Sequence, residues 1–326
     1  MKAIQFNRFG PPEVLETIDL PIPVPQAGEV LVRVRAAGVN FFEVLMRADR
    51  YAVTPDLPMV PGVEVSGIVE DVGSATDQSL LGMRVAVPLF ATGTATGGYA
   101  EFVAANAASV VPLPEELSFE DATALMVQGL TALHLTRRAC PDGKSVLVNA
   151  ASGGVGSLLV QLARHAGARS IIAAASSEEK LAIARSLGAD AGVDYSRTGW
   201  EDHVKAHTGD HGVDIVYETI GGPITAASLG ALAPAGELVF AALGRFELER
   251  PQIEAMISNN QSLKGFALLP LLTGEGLQRD LSQLFELSAR GSLTVLRGES
   301  IPLDNAAAAH RAFEDRLTVG KVVLVP

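Results

Sequence analysis

Residues 145–159 read SVLVNAASGGVGSLL, and this stretch decides the fold. A β-rich run at 146–148 meets the turn Gly153-Gly154-Val155-Gly156, after which apolar residues recur at helical spacing. The pattern predicts a strand, a tight turn and a helix. Glycines in such a turn let backbone N–H groups approach a dinucleotide pyrophosphate, and the helix N-terminus adds unpaired donors. Ala151 stands at the usual first glycine, so this is a variant fingerprint, and a plain small-residue turn is the alternative.

A second strand and helix follow at 170–175 and 178–187. Two consecutive βα units predict a doubly wound parallel sheet in an α/β protein. An NAD-selective site places Asp or Glu at the end of this second strand, where the chain instead has Ala174-Ala175-Ser176-Ser177. Without that carboxylate, Ser176 and Lys180 suit the 2′-phosphate of NADP(H). A solvated helix lysine is the alternative interpretation of Lys180.

Length and composition indicate two domains of an ordinary globular protein. The chain has 326 residues, of which 48% are hydrophobic and 19% charged. Its net charge of −12 disfavours nucleic acid or an anionic membrane surface as partner. No apolar run is long enough to span a bilayer, and the N-terminal sequence lacks a secretion signal, which predicts a cytoplasmic location.

The cysteine and histidine content predicts no metal site. Cys140 is the single cysteine, which excludes an internal disulfide and a Cys-rich zinc site. His203, His207 and His211 recur every four residues, as helical metal ligands do, but Thr208-Gly209-Asp210 breaks the helix before the third. We therefore expect a solvated helix end there.

The order of elements predicts a small β domain followed by the parallel sheet. The first hundred residues contain short alternating strands typical of a small barrel or sandwich. Residues 40–55 and 88–98 are predicted to be long loops that form a pocket wall. Residues 119–137 are predicted to be helical, and βα alternation then continues to an apolar edge strand at 262–269.

Several motifs in fixed order relate the chain to a known family. They are Ala37-Gly38-Val39-Asn40, Arg47 with Tyr51, Pro61-Gly62-Val63-Glu64 with Gly67, Gly98-Tyr99-Ala100-Glu101, Ala150-Ala151-Ser152-Gly153-Gly154-Val155-Gly156, and Glu314-Asp315-Arg316 with Gly320-Lys321. Through them the whole chain resembles the zinc-independent quinone oxidoreductase (zeta-crystallin-like) branch of the medium-chain dehydrogenase/reductase superfamily. The resemblance implies a GroES-like β-barrel catalytic domain, residues 1–122 with 294–326. It also implies a Rossmann NADP(H)-binding domain, residues 123–293, with the nicotinamide in the intervening cleft.

Two departures from zinc-dependent relatives imply zinc-independent chemistry. Asn40 stands where those enzymes carry a catalytic Cys, and Val63 stands where they carry His. Without a Lewis acid to polarise an isolated carbonyl, the practicable hydride acceptors are electron-poor and conjugated, such as quinones or activated alkenes.

The resemblance also implies roles for individual residues. Catalytic roles fall to Tyr51 and Asn40. The implied cofactor contacts are Asn40 and Tyr51 beside the nicotinamide, Thr131 near the diphosphate or ribose, Gly153, Gly154 and Val155 under the pyrophosphate, Ser176 and Lys180 at the 2′-phosphate, Tyr195 near adenine, Leu243 in the segment after the fifth strand that borders the nicotinamide, and Arg316 from the C-terminal segment. Packing roles for the tyrosines and a surface ion pair for Arg316 are the alternatives.

Three functions remain open at this stage. The first is an NADPH-dependent quinone oxidoreductase that acts on a small-molecule substrate as a homodimer, paired through the edge strand at 262–269. The second is an enoyl or alkenal reductase, in which Tyr51 protonates the carbon beside the one that receives hydride. The third is a non-catalytic NADPH-binding protein.

Overall fold

The computed structural model describes residues 1–91 and 96–326, which fold as two compact units. The first unit comprises residues 1–130 and 272–326, and the second comprises residues 131–271. Each unit has its own apolar core. In the described part of the chain, no helix is long and apolar enough to cross a membrane.

The N-terminal part of the first unit is built mainly from strands. They are β1 (Lys2–Gln5), β2 (Glu16–Asp19), β3 (Glu29–Val39), β4 (Val65–Val72), β5 (Arg84–Val87), β6 (Phe102–Asn106) and β7 (Val111–Pro112). Two short helices, α1 (Phe41–Arg47) and α2 (Phe119–Ala124), accompany them. The predicted short strands of this region are therefore present.

Helix α1 lies in a segment predicted to be loop, and that prediction was wrong. Asn40 precedes the helix in an extended conformation, and the Glu43 side chain accepts a hydrogen bond from the Asn40 backbone N–H at 2.8 Å. This capping interaction fixes the helix start. In the second predicted loop, 88–98, residues 92–95 lie outside the described residues.

A π-helical segment interrupts the helix predicted over 119–137. Helix α2 continues into π-helical residues Leu125–Gly129 and then into α3 (Leu130–Arg138). The apolar spacing fits an ordinary α-helix, so the sequence pattern does not reveal the wider turn. Such turns are often found at functional sites.

The second unit is an all-parallel sheet covered by helices. Its strands are β8 (Ser145–Asn149), β9 (Ser170–Ala175), β10 (Ala191–Asp194), β11 (Val213–Glu218), β12 (Leu232–Phe240) and β13 (Ser262–Gly265). Its helices are α4 (Gly154–His165), α5 (Glu178–Ser186), α6 (Trp200–Ala206), α7 (Pro223–Gly230) and α8 (Arg250–Ser258).

The strand order is β10-β9-β8-β11-β12-β13, which is the 3-2-1-4-5-6 order of a dinucleotide-binding sheet. The doubly wound parallel sheet predicted from the first two βα units is thereby confirmed. Its central strands are buried on both faces, as parallel strands between two helical layers require.

The C-terminal segment returns to the first unit. It contains α9 (Gly274–Ala289), β14 (Arg297–Pro302), α10 (Ala306–Glu314) and β15 (Lys321–Val325). The order of the first unit's main sheet is β14-β15-β3-β4-β5-β7, and β6 also pairs with β3. Strand β3 therefore holds the sheet together, because it pairs with β4, with β6 and with the returning strand β15.

The compact units differ from the predicted domains at helix α9. The domains implied by the resemblance divide at 122/123 and 293/294, whereas the compact units divide at 130/131 and 271/272, so that residues 272–293 group with the first unit. The reason is that α9 packs against the π-helical segment and β7. Gln278 of α9 also donates a hydrogen bond to the Ala108 carbonyl at 2.7 Å.

Candidate active site

The glycine turn of the second unit is closely packed against the first strand of its sheet. Gly153 is the N-cap of α4, and the helix N-terminus follows directly. A Cβ atom at Gly156 would lie 2.1 Å from the Ala150 carbonyl oxygen, so only glycine allows the helix to approach this closely. At Gly153 the corresponding distance is 3.1 Å. Gly153, Gly154 and Val155 thus form a cradle of backbone at a helix N-terminus, which fits a pyrophosphate.

A buried polar cluster fixes the neighbouring strand ends. Asn149, the last residue of β8, donates through Nδ2 to Glu218 at 2.8 Å and to Ser228 at 2.7 Å. The other Glu218 oxygen accepts from the backbone N–H groups of Ile220 and Gly221, at 2.6 and 2.9 Å. The cluster therefore holds the β8 end and the turn after β11 at the same edge of the sheet. None of these residues was predicted from the sequence to have a role.

Three predicted cofactor contacts meet at the carboxyl end of β9. Ser176 directly follows the strand, and the Tyr195 N–H donates to the Ala175 carbonyl at 3.0 Å. Lys180 lies half-buried in the first turn of α5, where Ser177 caps the helix. The structure thus brings Ser176, Lys180 and Tyr195 to one strand end, with no carboxylate on residues 174–177.

The remaining predicted contacts are distributed over both units. In the second unit, Thr131 is half-buried in α3, and Leu243 is exposed three residues beyond β12. Arg316 belongs to the first unit, just after α10, with a left-handed backbone and its N–H bonded to the Phe313 carbonyl at 3.1 Å. The roles implied for these three residues remain predictions.

Four charged or polar side chains form a buried quartet in the first unit: Asn40, Glu43, Glu64 and Lys321. Lys321 begins β15, and its neighbour Val322 pairs with Val39, so Lys321 lies across from Asn40. Its Nζ donates to Asn40 Oδ1 at 2.9 Å and forms an ion pair with Glu64 Oε1.

The quartet binds backbone as well as side chains. Asn40 Nδ2 donates to Glu64 Oε1 at 2.9 Å and to Glu43 Oε2 at 3.2 Å. Glu64 Oε2 accepts from the Val127 N–H at 2.7 Å, within the π-helical segment, and Glu43 Oε1 accepts from the Gly62 N–H at 2.8 Å. The quartet therefore connects α1, the segment directly before β4, the π-helical segment and β15.

The quartet holds two carboxylates against one ammonium group. Burial raises the pKa of Glu43 to about 7, while the Lys321 charge and the hydrogen bonds from Asn40 act in the opposite direction. Glu43 therefore changes its charge close to neutral pH. The pKa rises because desolvation penalises the charged form of the carboxyl, and the Lys321 ammonium forms its ion pair with Glu64 rather than with Glu43.

Tyr51 is half-buried on the C-terminal side of α1. Its ring lies 5.6 Å from that of Phe42, centroid to centroid. Burial raises the pKa of the Tyr51 hydroxyl above its ordinary value of 10.0. The hydroxyl therefore keeps its proton at neutral pH and can serve as a donor.

A second buried polar group joins the end of α1 to α10. Arg47 is buried and pairs through Nη2 with Glu314, while its Nε and Nη1 have no hydrogen-bond partner among the described residues. His310 Nε2 lies 3.2 Å from the Tyr99 hydroxyl. Burial, with a smaller contribution from the Arg47 charge, lowers the pKa of His310 to about 3.

The neutral state of His310 predicts acid sensitivity. The ordinary His pKa is 6.5, so below that value the unfolded chain binds a proton that the folded chain refuses, and stability falls as the pH falls. Between about pH 7 and pH 5 the loss through His310 is about 2 kcal/mol. We expect His310→Gln to remove this part of the pH dependence in urea unfolding. The exposed His207→Gln is the control, and an identical slope for wild type and His310→Gln would contradict the prediction.

Among residues 1–91 and 96–326, no group of three or more His, Cys, Asp or Glu side chains is arranged to hold a metal ion.

Both parts of the chain match models of known domains. Residues 26–115 match the alcohol dehydrogenase GroES-like domain, and residues 154–290 match the zinc-binding dehydrogenase domain. A quinone oxidoreductase of Pseudomonas aeruginosa is 35% identical over 100% of this chain and 99% of its own. This chain belongs to the quinone oxidoreductase branch of the medium-chain dehydrogenase/reductase superfamily. It is therefore an oxidoreductase, and its first unit contains a GroES-like domain.

Two further relatives of this chain are informative. The Escherichia coli quinone oxidoreductase, solved as a complex with NADPH, is 29% identical, covers 100% of both chains and superposes with a TM-score of 0.91. A 2-haloacrylate reductase of a Burkholderia species is 32% identical over 100% of this chain and 99% of its own.

Family motifs pointed to parts of the quartet without revealing its role. The motifs quoted for the resemblance include Asn40, Glu64 and Lys321, and only Asn40 was given a role from sequence. The available signal was the lysine at the start of the otherwise apolar strand KVVLV. Lys is almost never fully buried unless it is paired, so this position indicates a buried partner of opposite charge.

Proposed function

We propose that this chain is an NADPH-dependent quinone oxidoreductase. The observation that carries the proposal is the carboxyl end of β9, where Ser176 and Lys180 stand at a strand end without a carboxylate, beside the Gly153 turn. That arrangement fits a dinucleotide with a 2′-phosphate. The NADPH-bound relative of Escherichia coli and the quinone oxidoreductase of Pseudomonas aeruginosa support it.

The chain's own residues suit a reaction that needs little acid–base assistance. When bound, NADPH would supply a hydride to the acceptor, and a quinone that has received it needs one further proton, which water can supply. The backbone of Gly153, Gly154 and Val155 would hold the pyrophosphate, Ser176 and Lys180 the 2′-phosphate, and Tyr195 would lie near the adenine. Asn40 and Tyr51 would border the nicotinamide, and Thr131, Leu243 and Arg316 are proposed as further cofactor contacts.

We also propose that the reaction is zinc-independent. Asn40 occupies the position at which zinc-dependent relatives carry a Cys ligand, and its Oδ1 already accepts from the Lys321 ammonium at 2.9 Å. A metal ion bound to the same oxygen would be repelled by that fixed positive charge.

Lys180→Ala should remove the preference for NADPH over NADH. A charge-assisted contact to the 2′-phosphate contributes about 1.5–3 kcal/mol, or roughly one to two orders of magnitude in NADPH affinity. NADH lacks the phosphate and should be nearly unaffected. The measurement is kcat/KM for both cofactors in wild type and variant.

A second helix lysine provides the control for Lys180. Lys205 lies on α6 and is half-buried, so Lys205→Ala removes a comparable charge elsewhere in the same unit. The NADPH/NADH ratio should be unchanged in that variant. An unchanged ratio in Lys180→Ala would show that Lys180 is only a surface lysine.

A reductase of conjugated double bonds is the second candidate function. The half-buried, protonated Tyr51 and the similarity to a 2-haloacrylate reductase favour it. NADPH oxidation with a quinone, a conjugated enal and an enoyl thioester separates the two functions. Turnover confined to the quinone supports the first proposal, and tight NADPH binding without turnover of any acceptor would support a non-catalytic NADPH-binding protein.

The edge strand β13 supports the predicted homodimer. It is the last strand of the second unit's sheet, and exposed apolar side chains lie nearby in sequence, with Ile253 41% and Ile257 66% exposed on α8. Unprotected sheet edges and exposed apolar patches are typically covered by a partner. We expect a dimeric mass by light scattering at micromolar concentration and a shift toward monomer in Ile257→Glu. A monomeric wild type would contradict the proposal.

The proposed substrate is a small molecule, and the net charge of −12 supports this choice over nucleic acid. The cytoplasmic location remains a prediction from the sequence.

A further inference from the structure

The quartet determines which atoms of Asn40 can meet a ligand. The carboxamide has two N–H donors, and both are used, one toward Glu64 at 2.9 Å and one toward Glu43 at 3.2 Å. Its oxygen has two lone pairs, and one of them accepts from Lys321. The second lone pair of Oδ1 accepts no hydrogen bond from another side chain of the quartet.

The orientation of the carboxamide depends on the charge of its partners. A lysine ammonium can only donate and an ionised carboxylate can only accept. Lys321 therefore requires Oδ1 on its side, and the Glu64 carboxylate paired with it requires Nδ2 on the other. Glu43 favours the same orientation while it is ionised. Rotating the amide by half a turn would place an oxygen against Glu64 and an N–H group against Lys321, which leaves every contact mismatched.

The backbone around the ammonium group is equally constrained. Gly320 has a φ of 62°, and a Cβ there would lie 2.1 Å from the Leu296 carbonyl oxygen. The Lys321 N–H donates to that same oxygen at 2.9 Å. A Cβ at Gly38 would lie 2.3 Å from Glu64 Oε1, so the carboxylate rests directly against β3. The Lys321 backbone and the Glu64 carboxylate are therefore both closely confined.

We propose that Lys321 is a positioning residue, which fixes the Asn40 carboxamide so that Asn40 can accept a hydrogen bond from the bound cofactor or substrate but cannot donate one. The proposal rests on the proposed function, which places Asn40 beside the nicotinamide. The matching ligand group is an N–H donor, such as the carboxamide of a nicotinamide ring. A quinone carbonyl offers only acceptors, so Asn40 does not polarise it.

Lys321→Met tests the proposal, with Leu324→Ala as the matched control. Methionine keeps most of the side-chain volume and removes the ammonium group. Leu324 is fully buried on the same strand and has no polar contact with the quartet, so Leu324→Ala weakens the fold while leaving the quartet intact. We expect kcat for the quinone to fall at least about tenfold in Lys321→Met, with the KM for NADPH within about threefold of wild type. In Leu324→Ala kcat should stay within about twofold.

A crystal structure of Lys321→Met at atomic resolution gives a second readout, since at that resolution amide oxygen and nitrogen can be distinguished. Without the ammonium group, the buried Glu64 carboxylate takes up a proton and can donate to Oδ1 as well as accept from Nδ2, so the Asn40 carboxamide should rotate or occupy two orientations. If Lys321→Met does not fold, the double variant Lys321→Met with Glu64→Gln, which removes both charges, takes its place in the kinetic measurement and in the crystal structure. An unchanged Asn40 orientation, or equal loss of kcat in Lys321→Met and Leu324→Ala, would overturn the proposal.

The two readouts also separate this proposal from the proposed function. If none of the tested acceptors supports NADPH oxidation by the wild type, the proposed function fails. The Asn40 orientation in the two crystal structures then still decides whether Lys321 positions the carboxamide.

Discussion

Lys321→Met should destabilise the first unit by about 3–5 kcal/mol, the usual cost of removing one partner of a buried ion pair. The physical reason is that the variant leaves the Glu64 carboxylate fully buried without its cation. Hydrogen exchange of the β3 and β15 amides measures the effect within the first unit. A loss below about 1 kcal/mol would show that the pair contributes little.

The double variant Lys321→Met with Glu64→Gln separates charge from packing. Replacing both charges by neutral groups of similar size is often close to neutral for stability, because the desolvation cost of both ions disappears. We therefore expect the double variant to recover much of what the single variant loses. Additive losses would instead indicate that Lys321 and Glu64 act independently.

Tyr51→Phe should slow reduction of an enal or enoyl substrate roughly 10²-fold or more, the usual scale of general acid catalysis. Quinone reduction should fall much less, because water can protonate the reduced oxygens. The measurement is kcat for both acceptor classes at saturating NADPH. The substitution removes one hydroxyl and retains the ring that contacts Phe42, so packing is largely preserved.

Phe42→Leu is the packing control for Tyr51. It loosens the ring contact while leaving the hydroxyl in place. If the two variants reduce both reactions equally, Tyr51 acts through packing rather than through proton donation.

The second unit was predictable because its signals are local. The β8 strand, the glycine turn and α4 follow one another within twenty or so residues, and the period of the apolar residues distinguishes strand from helix. The end of β9 was equally readable, since residues 174–177 are consecutive. The position of Tyr195 beside that end follows from the parallel pairing of β10 with β9.

The quartet was not predictable, because it joins residues far apart in the chain. Asn40 and Lys321 are separated by 281 positions, and their contact depends on the register of β15 against β3. One sequence gives no direct information on that register. The buried charges also contradict the simple rule that charged residues are exposed, and such exceptions are expected at functional sites.

Helix α1 was missed for a different reason. Its start signal was present, with Asn40 followed three residues later by Glu43, but the run FFEVLMR is apolar on several faces and lacks clear helical periodicity. Tertiary packing against α10 completes the helix.

The central claim is that this chain transfers hydride from NADPH to quinones, and kcat/KM for NADPH and NADH with one simple quinone tests it most directly. We predict quinone-dependent oxidation of NADPH, with NADPH preferred over NADH by at least about tenfold, since one charged contact to the 2′-phosphate contributes about that much. No quinone-dependent oxidation of NADPH, or a kcat/KM for NADH equal to or above that for NADPH, would contradict the account.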